Sequence, residues 1–108
     1  MSKELTTDEV RKNFLRQVQA NIDYWAGIPM RPDETLRERL ESVVFSTLVI
    51  IDGESGLPSF ILAPDPHPTD KQYNIDNGDD YYPENKEALA LIKGDISGSL
   101  HDLLHAFR

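Results

Sequence analysis

Val10, Phe14, Val18 and Ile22 recur at every fourth residue, and Leu15 and Trp25 widen that stripe. This is the period of an amphipathic helix. Arg11, Lys12, Arg16, Gln19 and Asp23 fill the other side. Thr6-Thr7-Asp8-Glu9 reads as a capping box, with Thr6 as N-cap and Glu9 three residues on. Gly27 and Pro29 stop the pattern, which predicts a helix over 7–26.

A second start signal stands at Pro32-Asp33. Leu36, Leu40, Val43, Val44, Thr47 and Ile51 then keep helical spacing, Arg37 and Glu41 form an i,i+4 pair, and Asp52-Gly53 ends the run. Its second half, VVFSTLVII, is dominated by β-branched residues, and Phe45 and Val49 leave the stripe. Such a composition also suits a buried strand, which would pair 44–51 with 58–63 as a hairpin across GESGLP. Continuity with the charged start favours one helix over 33–51 with a fully buried end. Within that run, Ser46 and Thr47 are expected to bond back to helix carbonyls.

From 63 to 83 the chain is polar and punctuated by Pro64, Pro66 and Pro68, which predicts a long irregular loop pinned by Tyr73, Tyr81 and Tyr82. Two helices then close the chain, over 84–93 and over 96–107, the latter capped by Asp95 or Ser97. The fold class is mainly α with a small β element (α+β), in a single domain spanning 1–108.

Composition narrows the range of functions. The 108 residues include no cysteine, which points to a reducing compartment and removes thiolate chemistry. MSKELTTDEVRK lacks a signal-peptide core, and the longest apolar run, Val43 to Ile51, is too short to span a bilayer. A cytoplasmic protein is expected. The net charge of −8 disfavours nucleic acid and anionic membranes as partners.

Candidate chemistry is sparse. His101-Asp102-Leu103-Leu104-His105 places two histidines at i and i+4, which on one helix face can share a metal. Asp stands where a zinc protease has Glu, and a third ligand would have to come from His67 or from Asp79, Asp80 or Glu84. Against this stands the ordinary reading of histidines as solvated flanks of a helix end. Asp76-Asn77-Gly78-Asp79-Asp80 is no EF-hand, because the two earlier ligand positions fall on Ile75 and Tyr73. A phosphate loop and a nucleophile elbow are both lacking. Trp25 is expected to anchor the core, whereas Tyr73, Asp79, Asp80, Tyr81 and Tyr82 form a candidate partner-binding surface.

The blocks VFSTLVIIDG, GLPSF, PHPTDK, DDYYPEN and DISGSLHDLLH resemble blocks of small bacterial and phage proteins to which no activity is attached. That resemblance implies a microbial, cytoplasmic origin and no particular chemistry. Three functions follow. The first is an acidic, non-enzymatic protein-interaction module binding a protein partner or its own copy, with no cofactor. The second is a protein holding a divalent metal through His101, His105 and His67, with hydrolysis as its extension. The third is an acidic mimic of nucleic acid.

Overall fold

The computed structural model describes residues 2–84 and 94–108. Its helices are α1 (Thr7–Gly27), α2 (Leu36–Ile51), α3 (Asp70–Asp76) and α4 (Leu100–Leu103), the last running into a 3-10 turn over Leu104–Phe107. The helix expected over 84–93 lies, apart from Glu84, outside the described residues. The chain divides into two compact units, one of Met1–Phe60 with Ile96–Arg108 and one of Ile61–Asp95.

In the first unit, α1 begins as the sequence indicates. Thr6 Oγ1 accepts from the Glu9 N–H at 3.1 Å while the Glu9 carboxylate accepts from the Thr6 N–H at 3.1 Å. The start of α2 differs from expectation. Its N-cap is Thr35, in a second capping box with Glu38, and the Pro32-Asp33 signal lies in the preceding turn. Phe14, Leu15 and Ile50 form the buried centre, ringed by half-buried Val18, Leu57, Phe60, Leu100, Leu104 and Phe107. The Phe14 and Phe60 rings meet edge to face, 5.2 Å apart.

No strand occurs among the described residues, so the expected β element and the 44–51/58–63 hairpin are absent. Residues 44–51 are helical to Ile51 despite their β-branched composition. Ser46 and Thr47 hydroxyls donate to the Ser42 and Val43 carbonyls at 2.9 and 3.0 Å. A helix consumes its backbone donors and acceptors internally, which leaves none for a ladder. The returning chain makes one bond there, from the Phe60 N–H to the Ile51 carbonyl at 2.8 Å.

The last helix is shorter than predicted. It starts at Leu100 behind Ser99, not at 96, and tightens to a 3-10 turn after Leu103. This segment docks on α1 through residues assigned to the polar side of that helix. Gln19 is buried and its amide donates to the Leu104 carbonyl at 2.6 Å. Arg11 donates to the Ile96 carbonyl at 3.0 Å, and the Arg16 guanidinium lies over the Phe107 ring. Gln19 thus satisfies a carbonyl that the tightened helix end leaves open.

In the second unit, the stretch expected to be irregular contains α3. Gly78 sits at φ +72°, the Gly78 N–H donates to the Ile75 carbonyl and the Asp79 N–H to the Asn74 carbonyl. These bonds define a Schellman motif. The acid-rich 76–80 string is therefore the C-terminal stop of a helix.

Candidate functional site

The geometry that matters most is the rotation of α2 about its own axis. Arg39, buried to 9 % exposure, fixes that rotation at one end. Its guanidinium donates to Glu34 Oε2 at 2.9 Å and Oε1 at 2.7 Å. It also donates to the carbonyls of Trp25, Ile28 and Pro29. The last turn of α1 contains no basic residue of its own, so Arg39 supplies the donors its open carbonyls need. The planar guanidinium presents its donors in a rigid fork that suits this task. Opposite charges in direct contact hold the Glu34 carboxyl below its usual range and raise Arg39 above its own, hydrogen bonding being the largest cause in each case.

Ile50, at 1 % exposure, fixes the other end. Positions 39 and 50 lie about 20° apart around a helix, so one inward face holds both. Ser46 shares it, and its hydroxyl accepts from the Trp25 indole N–H at 3.0 Å. Trp25 is half-buried and also receives the Arg39 guanidinium over its ring. It therefore anchors the α1–α2 contact at its edge and does not sit in the core centre.

This orientation turns Leu36, Leu40 and Val44 of the expected stripe outward beside Phe45 and Leu48, while Val43, Thr47 and Ile51 stay half-buried. Leu36, Leu40, Val44, Phe45 and Leu48 are 65, 57, 58, 68 and 50 % exposed. The expectation of a fully buried helix end is thus met only at Ile50. An open groove along this face is lined by Trp25, Leu40, Val44, Phe45 and Leu48, with Arg37, Glu38 and Glu41 beside them. The expected Arg37–Glu41 pair is present at 3.2 Å.

The residues singled out in the sequence are distributed otherwise. His101, in α4, contacts Asp102 at 3.4 Å, whereas His105 lies in the 3-10 turn. The α-helical register that aligns i with i+4 is lost between them. His67 belongs to the second unit, where its Nδ1 pairs with Thr69 Oγ1 at 2.9 Å. Among the described residues, no three His, Asp or Glu side chains gather in a group able to hold a metal ion. Tyr73 and Tyr82 are 67 and 69 % exposed, so they do not act as the aromatic pins expected of this stretch. Tyr81 stacks under Lys71, which also pairs with Glu84 at 3.6 Å. Asp79 closes the α3 stop through its backbone, and Asp80 is exposed.

Leu36, Leu40 and Val44 belong to the stripe that the sequence assigns to the core, whereas Arg39 carries no local signal of burial. The signal that could have found them is the 39–43–46–50 series: it is a second helical face whose polar members need an internal partner.

No protein-family model, no curated protein and no solved structure matches the chain. Among the described residues, no helix is long and apolar enough to cross a membrane.

Proposed function

We propose that the protein is an interaction module that works by docking another protein surface on the outward apolar face of α2. One observation carries this reading. The helix buries Arg39 and turns half-buried Ser46 inward while exposing Leu36, Leu40, Val44, Phe45 and Leu48. Single exposed apolar residues are ordinary, whereas four such residues lining one groove, Leu40, Val44, Phe45 and Leu48, mark a contact surface. Amphipathic helices recognise grooves and other helices through anchors at this spacing. The Arg39 clamp supports the same reading, because it holds the stripe outward in a fixed orientation before any partner arrives. The expected acidic character fits a module kept soluble by charge while carrying an apolar patch.

The test is photo-cross-linking in cells producing the full chain, with benzoylphenylalanine at Phe45 or, as control, at exposed Asp23 on α1. Protein adducts should form from position 45, exceed those from position 23, and disappear when Leu40→Glu is added. Adducts no more abundant at 45 than at 23 would remove the reading.

A further inference from the structure

We infer that the occupant of the α2 face is α2 of a second copy of this chain, packed antiparallel across a two-fold axis. The inference rests on the docking reading above and adds the identity and geometry of the partner. Three observations support it.

The stripe is close to self-complementary. Its midpoint, halfway between Leu36 and Leu48, is position 42. A two-fold axis there sets Leu36 near Leu48 of the other copy and Leu40 against its Val44, so these four apolar residues meet apolar residues, with Phe45 flanking them.

Charge selects the antiparallel sense. The first half of α2 carries Arg37, whose side chain is 87 % exposed and paired with Glu41, and exposed Arg31 precedes it, 3.9 Å from Asp33. The last turn has no basic residue, and exposed Asp52 and Glu54 follow it at the negative end of the helix dipole. In the antiparallel pair the Arg37 stem lies along Leu48 of the second copy, with its charge reaching toward that acidic end. A parallel pair would instead stack Arg37 on Arg37, which like-charge repulsion opposes.

The area also fits. Five side chains with half or more of their surface free offer on the order of 500 Å², near the upper end for single patches on monomers. Two such faces bury about 1,000 Å², the size of a weak but specific interface. The expected dimer is therefore concentration-dependent, with a Kd on the order of micromolar. Because each copy carries a net charge of −8, long-range repulsion opposes pairing, and added salt should tighten it.

Sedimentation of the purified full chain across the micromolar range, at low and moderate salt, provides the test. A monomer–dimer equilibrium is expected that tightens with salt. Leu40→Glu and Val44→Glu, both at exposed positions that leave the fold intact, should each weaken it at least about tenfold. Geometry is read by cysteine cross-linking, since the chain has none of its own. A mixture of Leu36→Cys and Leu48→Cys chains should give the mixed product with a short bismaleimide, and each variant alone should give little. Cross-linking of each variant to itself, without mixed product, would overturn the antiparallel arrangement. A monomer at every concentration would overturn the dimer. If position 45 still formed adducts with a protein of another mass, the docking reading would stand without it; if it formed none, both would fail.

Discussion

At the scale of single residues, Arg39 and Glu34 hold the α1–α2 turn. Their side chains are 11 and 6 % exposed and in contact at 2.7 Å. Removing one member of such a pair leaves the other charge buried without compensation, so the loss exceeds what the pair contributes. The linkage to pH has a definite sign. The Glu34 carboxyl lies below its ordinary 4.5 in the folded chain, chiefly through its bonds to Arg39. Its stabilising contribution is complete above about pH 5 and is lost as pH falls through the lowered folded value. Glu9 is held to about 2 from 4.5, first by its bond to Lys3 and then by Thr6, and acts in the same direction. Its salt bridge to Lys3 lies at the surface, so its share is small. A thermal melt series should show a constant Tm from pH 8 to pH 6 and a fall below about pH 4.5. Glu34→Gln should lower Tm at neutral pH and flatten the acid limb. An acid limb unchanged by that substitution would mean that other carboxylates govern it.

Among the elements, the helix ends were more legible than the helix faces. The Thr6 box could be read directly because Thr and Glu stand three apart before an apolar run. The Thr35 box carries the same signal and was hidden behind Pro32-Asp33. The Asp52-Gly53 stop was visible, and it proves to be a Schellman motif. The Gly53 N–H bonds to the Ile50 carbonyl and the Glu54 N–H to the Val49 carbonyl. Gly53 has φ +83°, and an added Cβ there would stand 2.6 Å from the Ser59 backbone nitrogen. Gly78 ends α3 at φ +72° with open space around it. Gly78→Ala should therefore cost about 1 kcal/mol, the left-handed penalty alone. Gly53→Ala should cost about 2–4 kcal/mol, because backbone must also move. Denaturant titration of the two variants checks the ranking, and equal costs would contradict it.

Faces were harder to read. For α1 the period located Phe14 and Leu15 correctly, but Gln19 was assigned to solvent because nothing local shows that a carbonyl of Leu104 awaits its amide. For α2 the rule that apolar stripes face inward held for Val43 and Ile51 and failed for Leu36, Leu40 and Val44. A long-range demand, the open carbonyls at the end of α1, is met by Arg39, which places that residue on the inward face. The hairpin alternative failed because β-branching disfavours a helix only slightly, and α2 runs unbroken to Ile51. The metal reading rested on an α-helical register that the chain abandons after Leu103.

For the whole molecule, an excess of acid and an outward apolar helix act against each other. Nineteen acidic residues against eleven basic ones keep copies apart at long range, and the α2 stripe attracts at contact. Such a balance makes association depend on concentration and ionic strength. The central claim is that α2 faces outward with Val44 and inward with Val43, and that the outward side becomes covered. Single Val44→Cys and Val43→Cys chains differ by one position on a background without cysteine. The rate of maleimide labelling, followed in dilute and in concentrated protein, reads both halves of the claim. Cys at 44 should label fast when dilute and markedly slower when concentrated, while Cys at 43 should label slowly at both. Fast labelling at 43 with protection at 44 in dilute protein would place the stripe inward and contradict the account.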